Sequence, residues 1–258
     1  MIIGGLRLKI LAIDSSGLVA SVALLEDDTL LAEYTVNYKK THSQTLLPML
    51  DAIAQMIDLD MNSIDAIAIS KGPGSFTGLR IGSATAKGLG LALDKPLVEV
   101  PTVDALAYNL YDAQGLIVPM MDARRAQVYT GIYRFVNHEL TAVKAQCAEA
   151  VENLMEELNC LGEPVILLGD GVRPYLDRIR ELLKVPFTVA PAHLNRQRAG
   201  AVGALGEKYF SRGMTVTADE HRPEYLRASQ AEREQTAKGV PVKEIEKNSE
   251  KLKPRDYS

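Results

Sequence analysis

The sequence predicts an α/β protein made of two similar halves, each a mixed sheet with helices. Three observations predict it. Apolar runs from Leu8 to Ile13 and from Leu116 to Met121 each end in an aspartate, Asp14 and Asp122. Each is followed by a short polar turn, a returning strand, a further strand and then a helix. A later strand in each half leads into a glycine-containing loop, Gly72-Pro73-Gly74 in the first and Gly169-Asp170-Gly171 in the second. One order of elements occurring twice reads as duplication of a single α/β unit.

In the first half, Leu8 to Ile13 is continuously apolar and reads as a central strand. The apolar start, Met1 to Leu11, has no basic leader and no small-residue cleavage site, so it reads as part of that strand. Ser15-Ser16-Gly17 forms a turn before a returning strand, Val19 to Leu25, and Asp27-Asp28 a turn before Leu30 to Val36. A helix from about Ser43 to Ile57 and a strand from Ile64 to Ile69 follow. The loop Lys71 to Arg80 then opens a helix, Gly78 to Leu93, ahead of a short strand, Val98 to Val100, and a helix, Val103 to Tyr111. In the second half, Ala123-Arg124-Arg125 is the turn, Gln127 to Phe135 the returning strand and Leu140 to Gln146 a further strand. A helix from Val151 to Leu158 and a strand from Val165 to Leu168 complete the reading. The division is residues 1–110, residues 111–229 and a tail, 230–258. The tail interleaves Glu232, Arg233, Lys243 and Glu244 with too few apolar side chains to offset the cost of ordering, which predicts disorder or a loose helix.

A hydrophobic fraction of 47% in 258 residues supports a sizeable core. A net charge of −4 gives no bulk attraction to nucleic acid, so any RNA contact needs a local patch or a partner. Arg124, Arg125, Arg173, Arg178, Arg180, Arg196 and Arg198 are candidates for such a patch, against the commoner reading as solvated surface. No apolar run approaches the ~20 residues that span a bilayer. Cys147 and Cys160 lack metal-site spacing, and a reduced, cytoplasmic compartment is the simplest expectation. His42, His138, His193 and His221 form no metal spacing either, and no catalytic nucleophile constellation is legible; His42 reads as a helix-start residue.

The string Lys71-Gly72-Pro73-Gly74-Ser75-Phe76-Thr77-Gly78-Leu79-Arg80 sits at a strand's carboxyl end, where α/β proteins build anion sites. It is not a P-loop: Gly74 to Gly78 is too short, and no Lys-Ser or Lys-Thr pair follows. A structural turn with Ser75 or Thr77 capping the helix is one reading, and an anion or nucleotide contact the other. The two flanking helices are more apolar than packing on one sheet requires. The first carries Leu46, Leu47, Met49, Leu50 and Ile53, with Pro48 awkwardly placed. The second carries only Arg80 and Lys87 as charges, with Gly78, Gly82, Ser83, Ala86 and Gly90 making it thin. Both could be fully buried, or each could keep a second face for another protein.

Asp14-Ser15-Ser16, Thr41-His42-Ser43, the string Gly72 to Arg80, Lys95-Pro96 and Tyr225-Leu226-Arg227 together strongly resemble one family, the bacterial TsaB proteins, also called YeaZ. The resemblance runs in order from about residue 8 to 234. It implies two similar lobes of the actin-like, Hsp70-like ATPase fold (ASKHA, RNase H-like). It also implies a non-catalytic paralogue of TsaD. The TsaD His-x-x-x-His metal pair matches Thr102 and Leu106 here, which cannot serve, and its glycine-rich phosphate turn matches Ala123-Arg124-Arg125.

The implied role is a scaffold that pairs with a TsaD-like catalytic subunit and works with a TsaE-like ATPase. Their complex installs N6-threonylcarbamoyladenosine at position 37 of tRNAs reading codons that start with A. A homodimer through the same surface is implied for the chain alone. Mapped onto this sequence, the interface is Leu46, Leu47, Met49, Leu50, Ile53, Gly78, Gly82, Ser83, Ala86 and Gly90. Asp14, Ser15, Ser16, Gly74 and Ser75 are the candidate nucleotide contacts. No catalytic residue, metal or resident cofactor is expected, with ATP or ADP entering at the level of the complex. The alternative is a stand-alone actin-like ATPase, phosphotransferase or nucleotide sensor.

Overall fold

A computed structural model describes residues 7–38 and 40–226; the charged tail expected over 230–258 lies outside them. The first half contains β1 (Lys9–Asp14), β2 (Ala20–Glu26), β3 (Thr29–Val36), α1 (Leu46–Met56), β4 (Ala66–Gly72), α2 (Phe76–Leu93), β5 (Leu97–Pro101) and α3 (Thr102–Tyr108). The second contains β6 (Leu116–Asp122), β7 (Gln127–Val136), β8 (Glu139–Ala150), α4 (Val151–Leu161), β9 (Val165–Leu168), α5 (Leu176–Leu182), β10 (Phe187–Val189) and α6 (Ala199–Ser211). Their sheets run β3-β2-β1-β4-β5 and β8-β7-β6-β9-β10. In each, the first three strands form an antiparallel meander and the remaining two are parallel to the central one. The halves therefore share strand order, strand direction and the placing of three helices, which is the duplication expected from the sequence.

Both faces of the first sheet are apolar. Leu11, Ile13, Val22, Leu24, Ile67 and Ile69 face one way and pack with Leu46, Met49, Leu50 and Ile53 of α1 and Ala86 of α2. Ile10, Ala12, Ala23, Leu25, Ala66, Ala68, Val98 and Val100 share the other face, which is covered by Ala199, Val202 and Leu205 of α6. The second sheet reverses the exchange. Its outer face packs on Leu154, Met155 and Leu158 of α4 and Ile179 of α5. The other face, with Ile117, Met121, Tyr133 and Leu168, packs on Val103, Leu106 and Ala107 of α3. Each half thus supplies the helix that covers the other half's second face.

This exchange departs from a division at residue 110, because α6 lies against the first sheet. Its stretch AGAVGALG carries glycines that weaken the helical signal. Those glycines are what the docking needs. A Cβ on Gly206 would lie 2.7 Å from Ala68 Cβ, and one on Gly203 would collide with Leu25. Glu33 anchors the start of α6, accepting from Gly200 N at 2.9 Å and pairing with Arg198, while Ser21 Oγ accepts from Ala199 N at 2.9 Å. A carboxylate there satisfies otherwise orphaned helix-start donors.

α1 starts at Leu46 rather than near Ser43, after a single turn of 3₁₀ helix, His42–Gln44. The later start puts Pro48 in the first turn, where a missing N–H costs no intrahelical bond. β8 is longer than its apolar run suggested, because its ladder with β7 continues to Ala150 opposite Gln127.

Gly206→Val should destabilise the protein by about 1–3 kcal/mol through overpacking against Ala68. Gly88, whose Cβ would meet nothing within 4 Å among the described residues, is the opposite case: Gly88→Ala should stabilise by about 0.5–1 kcal/mol. Urea unfolding measures both, and a neutral Gly206→Val would contradict the docking of α6.

Candidate functional site

The turn after β1 and the loop after β4 meet at the carboxyl ends of the first sheet's central strands. Asp14 is buried, and its Oδ1 accepts from Ser16 N at 2.8 Å and Ser16 Oγ at 2.7 Å. Its Oδ2 is buried without a partner among the described residues. Burial raises the Asp14 pKa, against the opposing pull of the Ser16 hydrogen bonds, and favours the neutral carboxyl. Ser15 Oγ donates to Gly78 O at 2.8 Å, and Ser75 N donates to Ser16 O at 2.7 Å. Ser75, not Thr77, caps α2, its Oγ accepting from Gly78 N at 3.3 Å. His42 sits at the helix start as expected, its Nε2 2.9 Å from Gly17 O.

The glycines let these parts touch. A Cβ on Gly74 would lie 2.3 Å from Ser16 O, on Gly78 2.1 Å from Ser15 O, and on Gly82 2.2 Å from Ser15 Oγ. Gly72, at φ 125°, would place one 2.2 Å from Glu224 O. Asp14, Ser15, Ser16, Gly74 and Ser75 are thus brought together as the sequence suggested, but largely bonded to each other. Of the five, only Ser75 is exposed.

The corresponding turn of the second half is open. Asp122 Oδ1 accepts from Arg124 N at 2.8 Å and from the Tyr175 hydroxyl at 3.1 Å, a turn-building role. Arg124, Arg125 and Ala126 are all exposed and left-handed, with φ of 68°, 57° and 55°. Asp170 Oδ1 accepts from Asp122 N at 3.3 Å, and burial raises the Asp170 pKa.

The residues mapped as a partner surface divide sharply. Leu46, Met49, Leu50 and Ile53 are at most 6% exposed and belong to the chain's own core. Gly78, Gly82, Ser83, Ala86 and Gly90 are buried too, and a Cβ on Gly90 would lie 2.6 Å from Leu97 Cδ1. The reason is geometric: α1 must cover the apolar sheet, and thin α2 must pass over the Ser15 turn. Only Leu47 of that set faces solvent, at 55% exposure. The outward faces instead carry Leu47, Met56, Ala84, Gly88 and Leu91.

Thr102 is buried with its Oγ1 accepting from Gly72 N at 3.1 Å, and Leu106 lies in the core under the second sheet. Cys147, whose thiol is pushed up to about 11 by burial and by Glu149, and Cys160 are both free. Gln197, 2% exposed beside Gly17, was not legible from sequence. It lies some 180 positions downstream, and no local pattern marks it.

The chain is 35% identical over 227 residues to the tRNA threonylcarbamoyladenosine biosynthesis protein TsaB of Bacillus subtilis, covering 87% of this chain and 96% of that one. This chain belongs to the TsaB (YeaZ) family. The Escherichia coli TsaB is 30% identical, with 85% of this chain and 95% of that one covered. The solved YeaZ structure from Pseudomonas aeruginosa superposes with a TM-score of 0.73 at 27% identity, over 85% of this chain and all of that one. A profile of the family described as TsaD, tRNA N6-adenosine threonylcarbamoyltransferase, matches residues 29–235. The resemblance carried by the glycine loop is thereby established across both lobes of the TsaB fold.

Two outcomes check the description of this joint. Gly78→Ala should cost about 1–3 kcal/mol, because its Cβ meets backbone. Asp14 has a raised pKa in the fold, so its contribution is fully present below its unfolded pKa of about 3.9 and is lost as pH rises through the folded value. Asp14→Asn should therefore gain stability relative to the parent as pH rises above about 4. A parent-to-variant difference in unfolding free energy that stays flat from pH 4 to pH 8 would contradict a buried neutral carboxyl.

Proposed function

We propose that this chain is the non-catalytic scaffold subunit of a tRNA-modifying assembly. Its relatives are named for threonylcarbamoyladenosine biosynthesis on tRNA. In this reading the chain binds and stabilises a TsaD-like catalytic subunit and works with a TsaE-like ATPase. tRNA reaches it through the complex, in the cytoplasm.

One observation carries the reading: the outward faces of α1 and α2. Met56 is 85% exposed and Leu91 62% exposed, with Leu47 and Ile57 also open to solvent. On the same face of α2 as Leu91 lie Ala84 and Gly88, exposed small residues that allow close approach of another helix. Several exposed apolar side chains on two helices mark an interaction surface better than a single one does. The non-catalytic part rests on what the matching positions do here. Thr102 and Leu106 are structural, and the Ser15–Gly17 turn is bonded to the chain's own glycine loop. A homodimer through the same faces fits the chain when alone.

Size-exclusion chromatography with a TsaD partner tests this. Leu47→Asp and Gly88→Arg should abolish co-elution while leaving the melting temperature within a few degrees of the parent. Leu46→Asp and Gly82→Arg should instead unfold the chain, since both positions face inward. Undiminished complex formation by Leu47→Asp and Gly88→Arg together would sink the surface.

A further inference from the structure

After α6 the chain returns across the first half in residues 213–224, touching β5, α2 and β4 on the way. Val216 pairs with Leu97 at the edge strand β5, with both backbone hydrogen bonds at 2.9 Å. Ala218 joins the core, and a Cβ on Gly90 of α2 would lie 3.4 Å from its own. His221 is 1% exposed, with Nδ1 2.7 Å from Glu99 Oε1 of β5. That bond lowers the Glu99 pKa by more than burial raises it, so the carboxylate accepts and Nδ1 donates. The His221 carbonyl accepts from Lys87 Nζ of α2 at 3.3 Å. At the far end Glu224 N donates to Lys71 O at 2.7 Å, and Lys71 Nζ lies 3.5 Å from Glu99 Oε2.

Lys87 and Gly90 share a turn of α2 with Gly88 and Leu91, which belong to the proposed partner face. The returning segment therefore grips the turn that a partner would meet. Its hold is slight. Of residues 213–224 only Ala218 and His221 are buried, and His221 Nε2 is sealed without a partner among the described residues. A buried nitrogen with no partner offsets part of what closure gains. Few apolar contacts and one costly polar atom mark an element that opens ahead of the rest of the fold.

We propose that residues 213–224 are a latch on α2, with the His221–Glu99 pair as its catch. Closed, the latch holds the turn carrying Gly88 and Leu91 in the position a partner recognises. Open, it frees that turn and binding weakens. The coupling to binding rests on the scaffold reading, whereas the latch itself is a property of the chain alone.

Hydrogen exchange on the full chain, without a partner, tests the latch. His221→Ala and Glu99→Ala should each speed exchange in β5 and the last two turns of α2 about tenfold. The double variant should add nothing beyond the stronger single one, because both remove the same contact. Exchange in α4 and β9, in the second half, should stay as in the parent. Parent-like exchange in β5 and α2 for both variants, equal acceleration in the second half, or additive single effects would overturn the latch. Titration with a TsaD partner tests the coupling. His221→Ala should bind about tenfold more weakly, whereas Leu158→Ala, a core truncation in the second half, should bind as the parent does. Parent-like binding by His221→Ala, with Leu47→Asp still abolishing it, would overturn the coupling. A parent chain that does not bind would overturn the scaffold reading and the coupling with it, while the exchange result decides the latch.

Discussion

Each sheet of this protein is apolar on both faces, and its own half offers two helices for only one of them. That constraint governs the rest of the structure. The remaining faces are covered by exchange: α3 crosses to the second sheet and α6 returns to the first. A fully buried aliphatic side chain contributes roughly 1.5–3 kcal/mol, so withdrawing Val202 and Leu205 alone would remove a large fraction of a typical domain's net stability. Neither half is complete without the other. The returning segment beyond α6 extends the same closure, with Val216 bridged to Leu97 and Glu224 N donating to Lys71 O at 2.7 Å.

The glycine loop is best understood inside that frame. Strand-end loops of α/β sheets are where phosphates bind, because backbone donors there point outward. In this chain the donors point at protein. Ser75 N is taken by Ser16 O, Gly78 N by Ser75 Oγ, and the Gly74, Gly78 and Gly82 positions lie too close to the Ser15–Ser16 turn to carry any side chain. The glycines serve close approach of helix to turn, and the surface left over is the far side of α2. An inward face committed to the fold and an outward face rich in Ala84, Gly88 and Leu91 explain why so apolar a helix stays marginally covered.

Much of this was legible in the sequence because the signals are local. Strands ending in Asp14 and Asp122, the Ser75 cap and the glycine loop each declare themselves within a few residues. The apolar excess of α1 and α2 was legible as well, but not its direction. By sequence Leu46, Met49, Leu50 and Ile53 read as a partner surface, whereas the sheet beneath α1 takes all four. Periodicity shows that a helix has an apolar arc wider than one neighbour needs; it cannot show which part of the arc faces inward. α6 escaped for a different reason. Its glycines lower helix propensity locally and are justified only by Leu25 and Ala68, far away in sequence. Glu33 and Arg198 likewise meet across 165 positions, with no short-range trace.

Hydroxyl-radical footprinting of this chain alone and bound to a TsaD partner tests the central claim most directly. Met56 is a flexible, readily oxidised thioether at 85% exposure, and Leu91 reports the far end of α2. Both should become strongly protected on complex formation, while Tyr111, 53% exposed and on neither helix, reacts as before. A complex that forms while Met56 and Leu91 remain as reactive as in the free chain would contradict it.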